Sequence, residues 1–155
     1  MFDPATFLNV STDQALSTEY ANIPEGDYPS AQIGTITEKS IRTFESNGTE
    51  YFVLEVPWII EGSDVAKAAT GRDKNRVRQS VFLDVLKDGS GNVVGLEGGK
   101  GQNVPLGKLR TTLRQNVAGR PWSFKALEGS FAGIHVKHRI DGDKIYAEVD
   151  EVRAL

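Results

Sequence analysis

Residues 92–122 read "NVVGLEGGKGQNVPLGKLRTTLRQNVAGRPW". A glycine-rich, lysine-bearing loop runs into what looks like a helix, and the reading of that join decides the fold. A phosphate-gripping loop needs G-x-x-x-x-G-K-[ST], so that backbone N–H groups cradle the phosphates and a hydroxyl holds Mg²⁺. Aligned on Gly99-Lys100, the first glycine position falls on Val94 and the hydroxyl position on Gly101, so the motif fails at both ends. The residues after the loop have helical period. Leu106, Leu109, Leu113 and Val117 fall at i, i+3, i+7 and i+11, an apolar stripe along one helix face. Pro105 near the start and Gly119 past the end suit the positional preferences of those residues. The segment thus reads as a flexible connector followed by one amphipathic helix, with Lys108, Arg110 and Arg114 as its charged flank.

Strands are expected on both sides of this helix. Upstream, Pro24 and Gly26 introduce a first strand over about residues 27–39, where Gly34 marks a bulge that shifts the phase. Asn47-Gly48 is a strong hairpin turn signal, and "YFVLEVPWII" after it is the most strand-like run in the chain. In that run Phe52, Leu54, Val56, Trp58 and Ile60 share one face, and Tyr51, Val53 and Glu55 the other. Pro57 removes a ladder donor and points to an edge or a bulge. The third strand, "RVRQSVFLDVLKDG", sets Val77, Val81, Leu83 and Val85 against Arg76, Arg78, Ser80 and Phe82, an apolar face backed by a basic one with an aromatic. Downstream, Asp141-Gly142 punctuates a second hairpin. One of its strands sets Ala132, Ile134 and Val136 against His135, Lys137 and Arg139, and the other sets Ile145, Ala147 and Val149 against Tyr146, Glu148 and Asp150.

The order strand, strand, strand, helix, strand, strand excludes an alternating βαβ sheet, which needs more helices, and a sandwich, which usually has seven or more strands. It matches a five-stranded OB-fold Greek-key barrel, an all-β fold with one helix between strands 3 and 4. Residues 1–22 lack sustained periodicity and read as an N-terminal arm, or as a short helix near residues 11–16, and residues 23–155 read as the OB-fold domain.

Composition narrows the function. At 155 residues and 39 % hydrophobic content the chain suits one compact domain. It has no Cys, which excludes disulfides, thiolate metal sites and cysteine nucleophiles. No stretch approaches the ~18 apolar residues of a membrane span, and the N-terminus has no secretory pattern, so a cytoplasmic protein with no membrane partner is expected. Net charge is −3, distributed unevenly: residues 1–63 hold 2 basic and 10 acidic side chains, and residues 64–120 hold 11 and 5. That basic block creates a local field able to attract an anion, although a solvated surface gives the same count. No nucleophile elbow, zinc spacing or phosphate loop is present, so no catalytic residue, metal or cofactor is assigned and the chain does not read as an enzyme.

The segments "MFDPATFL", "IPEGDYPSAQI", "LGKLRTTLRQN", "GRPWSF" and "IYAEVDEV" together resemble phage-encoded OB-fold single-stranded-DNA-binding proteins over nearly the whole chain. The resemblance implies sequence-tolerant protection of phage DNA during replication or recombination, in the host cell cytoplasm. Replication or recombination proteins, or further copies of the chain, are then its candidate protein partners.

Non-specific single-strand binding needs cations that follow the backbone and aromatic faces on which bases stack. In an OB-fold these are expected on strands 2 and 3 and the flanking loops. Arg76 and Arg78 are the leading phosphate contacts, joined by Lys67, Arg72 and Lys74 from the preceding loop and by Lys39 and Arg42 near the first hairpin. Phe82 and Tyr51 are the leading stackers, each opposite its strand's apolar set; either could instead cover a second small core beneath the arm. Phe44 is a third candidate, and His135, Lys137 and Arg139 extend the basic groove. Trp58 and Trp122 read as packing residues. The competing function is an OB-fold protein-interaction or virion structural module, in which the same residues form a subunit interface.

Overall fold

The computed structural model describes residues 1–17 and 21–155 and is built mostly of β-structure. Its elements are α1 (Pro4–Phe7), β1 (Gly26–Ile33), β2 (Ile41–Ser46), β3 (Thr49–Glu61), α2 (Asp64–Thr70), β4 (Lys74–Leu83), β5 (Val85–Lys87), β6 (Val93–Leu96), α3 (Val104–Thr112), β7 (Phe131–Asp141) and β8 (Lys144–Arg153). Two short 3₁₀ turns, Glu38–Ser40 and Phe124–Leu127, precede β2 and β7.

Six strands form one sheet in the order β1-β7-β8-β4-β3-β2. The end of β1 also pairs with β3, with Gln32 opposite Ile59 and Ile33 opposite Trp58, so the sheet curls back on itself into a barrel-like fold. Every pairing in the ring is antiparallel except β4 with β8, which is parallel and joined only at Arg78 and Glu148. That seam is the loosest part of the wall.

The inward sets follow the strand alternation. Leu54, Val56, Trp58 and Ile60 from β3, Val77 and Val81 from β4, and Ala132, Ile134 and Val136 from β7 are buried in one core. Trp58 is completely buried, and its indole N–H donates to Gln79 Oε1 at 2.8 Å, which satisfies its single polar atom. α3 closes one end of the barrel with Leu106 and Leu109, and Leu127 enters from the second 3₁₀ turn. Pro57 sits inside β3, beyond the reach of β2, whose pairing stops at Ile41 and Leu54. Its carbonyl accepts from Gly34 N at 2.8 Å. N–H and C=O of a strand residue point to the same side, so the missing donor falls where the β2 partner has already ended.

Several expectations are corrected. The first strand, expected over about residues 27–39, ends at Ile33, a separate strand β2 follows it, and a small β5/β6 hairpin and the helices α1 and α2 accompany the expected helix, so "five strands and one helix" undercounts the elements. The phase shift in β1 falls between Tyr28 and Ala31, at Pro29-Ser30 and not at Gly34. Gly34 instead allows close approach, since a Cβ there would lie 3.0 Å from Ile59 Cδ1. The arm's helix is α1, not residues 11–16, and the side chains of residues 1–17 are exposed. α3 ends at Thr112 because Arg114 turns left-handed (φ 60°), which leaves Val117 exposed beyond the helix.

The junction between the glycine-rich connector and α3 is held by Asn103. Its Oδ1 accepts from Asp84 N (2.8 Å), its Nδ2 donates to the carbonyls of Asp84 and Glu97 (2.8 Å each), and its own N–H donates to Asp84 Oδ2 (2.7 Å). These bonds pin the start of α3 to the end of β4 and the base of the β5/β6 hairpin. Asn103 is itself left-handed (φ 50°) and nearly buried, a conformation Asn tolerates better than most residues.

Candidate functional site

β2, β3 and β4 lie side by side, and their period-two alternation sends a second set of side chains to the outer face. Cross-strand register places Phe44 opposite Tyr51, and Arg42 and Phe82 on either side of Val53. The Phe44 and Tyr51 rings stack with centroids 5.3 Å apart and planes 19° apart. Phe82 meets both edge-on, at 6.2 Å and 6.3 Å. Tyr51 is 39 % and Phe82 50 % exposed, whereas Val53, outward in phase, is fully buried. The predicted aromatics therefore form one cluster over a small apolar patch, with part of their surface left to solvent. The Arg42 guanidinium sits 5.7 Å from the Phe44 ring centre, within cation–π range.

The predicted cations gather along the loose β4/β8 seam. A depression of about 160 Å³ is lined by Arg42, Arg78 and Arg139 together with Glu55, Ser80, Tyr146 and Glu148. A second, of about 260 Å³, is lined by Arg72, Arg76 and Arg78. Both include Asn22, Arg78 and Ala147 in their walls, so they adjoin. Five predicted arginines thus share one track across the barrel wall, which reaches the aromatic cluster through Arg42.

The five differ in what holds them. Arg42 donates from Nε to Glu55 Oε1 at 2.7 Å, and Glu55 Oε2 accepts from the Ser80 hydroxyl at 3.0 Å. Arg139 donates from Nε to Glu148 Oε1 at 2.8 Å, which raises its pKa further above the ordinary arginine value. Each carboxylate engages an inner N–H of the fork, so both guanidiniums are oriented while terminal donors remain for a ligand. Arg72, Arg76 and Arg78 have no ion pair or side-chain hydrogen bond among the described residues. They are the cations whose charge is uncommitted.

The remaining predicted residues lie around this track or away from it. Lys67 is exposed on α2 and Lys74 opens β4, next to Arg72 and Arg76 in the chain but outside both depressions. Lys39 is exposed in the 3₁₀ turn before β2. Lys137 is exposed on β7, opposite Glu148 in register. His135 is not brought to the others. Its Nδ1 lies 2.6 Å from Asp150 Oδ1, with Asp27 and Arg153 close by, and the bond to Asp150 raises its pKa above the ordinary value. His135 belongs to a mixed-charge cluster near β1, in which Arg153 also pairs with Asp27 and Glu151.

Tyr146 is the site residue that sequence reasoning passed over. It is half-buried in the first depression, with the Arg139 guanidinium 4.7 Å from its ring centre. The alternation of the last strand already sets it outward, against Ala147 and Val149, and that signal marks it as a surface aromatic. Trp122, by contrast, is packed. Its N–H donates to Gln115 Oε1 at 2.9 Å, its ring meets Phe124 edge-on, and Arg110 lies 4.3 Å from its centre. Arg110 also donates to the Gln115 carbonyl, so it serves the turn after α3. The basic block of residues 64–120 is consequently divided between the track and the α3 end of the barrel.

Among the described residues, no group of three or more His, Cys, Asp or Glu is placed to hold a metal ion. The chain matches no protein-family model and no curated protein.

Proposed function

We propose that this protein is an OB-fold single-stranded-DNA-binding protein of the phage-encoded kind its sequence resembles. Its role would be to cover DNA without regard to sequence during replication or recombination. The OB reading is supported by the strand order, in which β1 pairs with both β3 and β7, by the parallel β4/β8 seam, and by α3 lying between β4 and β7.

The observation that carries the function is the junction of the arginine track with the Phe44–Tyr51–Phe82 cluster on one outer face. Cations that follow a phosphate backbone beside exposed aromatic faces are the two requirements of sequence-tolerant single-strand binding. Uncommitted Arg72, Arg76 and Arg78 would release counterions on contact with phosphates, and Tyr51, Phe82 and Tyr146 would receive bases. The test is fluorescence anisotropy with a labelled poly-pyrimidine strand and a duplex of equal length, at low and moderate salt. Tight, salt-sensitive preference for the single strand is expected; equal or absent binding would contradict the reading.

A second reading, an OB-fold protein-interaction or virion structural module, draws support from the mutual packing of the three rings. Clustered aromatics beside arginines are also typical of protein interfaces. It predicts weak binding to DNA with little dependence on salt.

A further inference from the structure

We infer that the N-terminal arm of one copy docks into the groove between α3 and β8 of a second copy. The proposal does not depend on DNA binding. It starts from an apolar segment with no seat among the described residues of its own chain. Phe2, Phe7, Leu8, Val10 and Leu16 are all well exposed, Leu8 at 84 %. The arm is nonetheless locally organised: Asp3 caps α1 through Ala5 N at 3.1 Å and the Thr6 hydroxyl at 2.6 Å, and the Phe2 and Phe7 rings meet edge-on at 5.4 Å. A prearranged apolar turn loses less entropy on docking than a disordered one.

The groove has the matching properties. It measures about 570 Å³ and is lined by Val104, Gly107 and Val152, with the polar Gln102, Asn103, Lys108, Thr111 and Thr112 around them. Val104 is 43 % exposed at its rim. Gly107 lies inside α3, where glycine costs about 1 kcal/mol of helix stability relative to alanine. Its φ is not positive, and a Cβ built there would meet nothing within 4 Å. Neither backbone conformation nor a neighbour among the described residues of its own chain requires a glycine at this place, and the open space beyond it leaves room for an occupant.

Charge selects the arm as that occupant. Residues 1–17 contain two acidic side chains, Asp3 and Asp13, and no Lys or Arg. Lys108 lines the groove, and Lys100 and Arg114 flank α3 in the chain; none of the three makes an ion pair among the described residues. Because arm and groove are different surfaces, the contact is either a reciprocal exchange that closes a dimer or a head-to-tail chain.

Complementation between full-length variants tests this. Phe7→Asp with Leu8→Asp disables the arm while leaving the barrel untouched. Gly107→Glu fills and recharges the groove with a residue that favours the helix. Sedimentation equilibrium should give wild-type protein a mass above the single-chain 16.9 kDa, decreasing with added salt. Each variant alone should return to the single-chain mass, and an equal mixture of the two should recover association, since one intact arm meets one intact groove. A monomeric wild type, association of either variant alone, or a mixture that stays monomeric would each overturn the proposal. Circular dichroism of each variant excludes unfolding as the cause.

Discussion

Phe44 and Tyr51 face each other across the β2/β3 hairpin with ring centroids 5.3 Å apart, and Phe82 stands edge-on to both. The pair owes its position to the Asn47-Gly48 turn. Both residues are left-handed there (φ 52° and 78°), and the register they set places residue 44 opposite residue 51. A two-residue turn with both φ positive matches strand twist and fixes the pairing.

Stacking on this cluster should be measurable one ring at a time. Phe82→Ala and Tyr51→Ala are each expected to weaken binding to oligothymidylate by about 1–3 kcal/mol. Both residues are partly exposed, so the thermal midpoint should change far less than for a buried aromatic. Isothermal titration together with thermal unfolding separates the two effects.

The arginine track makes a prediction about slope. Removing two phosphate contacts should lessen the dependence of log K on log salt by about 1.4, given ~0.7 per phosphate neutralised on a single strand. Arg76→Ala with Arg78→Ala is the informative pair, because neither side chain has an ion pair among the described residues. An unchanged slope in anisotropy titrations would remove both from the site.

Asn103 tests the fold independently of the site. Asn103→Ala loses three side-chain hydrogen bonds and places a β-carbon-only residue at φ 50°. A destabilisation of about 2–4 kcal/mol is expected from unpaired buried groups and backbone strain, read from urea unfolding. DNA affinity per folded molecule should be unchanged.

His135 supplies a prediction about pH. Its pKa is raised above 6.5, chiefly by the hydrogen bond to Asp150. The protonated form is therefore favoured in the folded state. Its stabilising contribution is fully present below pH ~6.5 and is lost as pH rises through the raised folded value. In proton NMR titrations, Asp150→Asn should lower the His135 midpoint toward the ordinary value. A midpoint unaffected by that change would show that the pair does not form in solution.

The parts legible in the sequence were those governed by local alternation. Inward Leu54, Val56 and Trp58, outward Arg76, Arg78 and Phe82, and the helix stripe at Leu106 and Leu109 follow from period alone. Less legible were features set by distant partners. The end of the first strand at Ile33, short of the expected residue 39, goes with β1 passing from β7 to β3. The end of α3 depends on Arg114 adopting a left-handed conformation, which Val117's place in the stripe gave no reason to expect. In the site, alternation identified outward cations but could not tell Arg78, uncommitted, from Arg42 and Arg139, which are held by Glu55 and Glu148. Nor could it separate His135 from the track, since its place depends on a pairing with β1 that sets it opposite Asp27 and on its contact with Asp150 of β8.

The most direct test of the account is a titration of isotopically labelled protein with short oligothymidylate, followed by amide NMR. Shifts should concentrate at Arg42–Phe44, Tyr51–Glu55, Arg76–Phe82 and Tyr146–Glu148, and α3 should be unaffected when the arm variant is used to keep the protein monomeric. A spectrum that does not change, or changes confined to α3 and the β5/β6 hairpin, would contradict the assignment of this face as the binding surface.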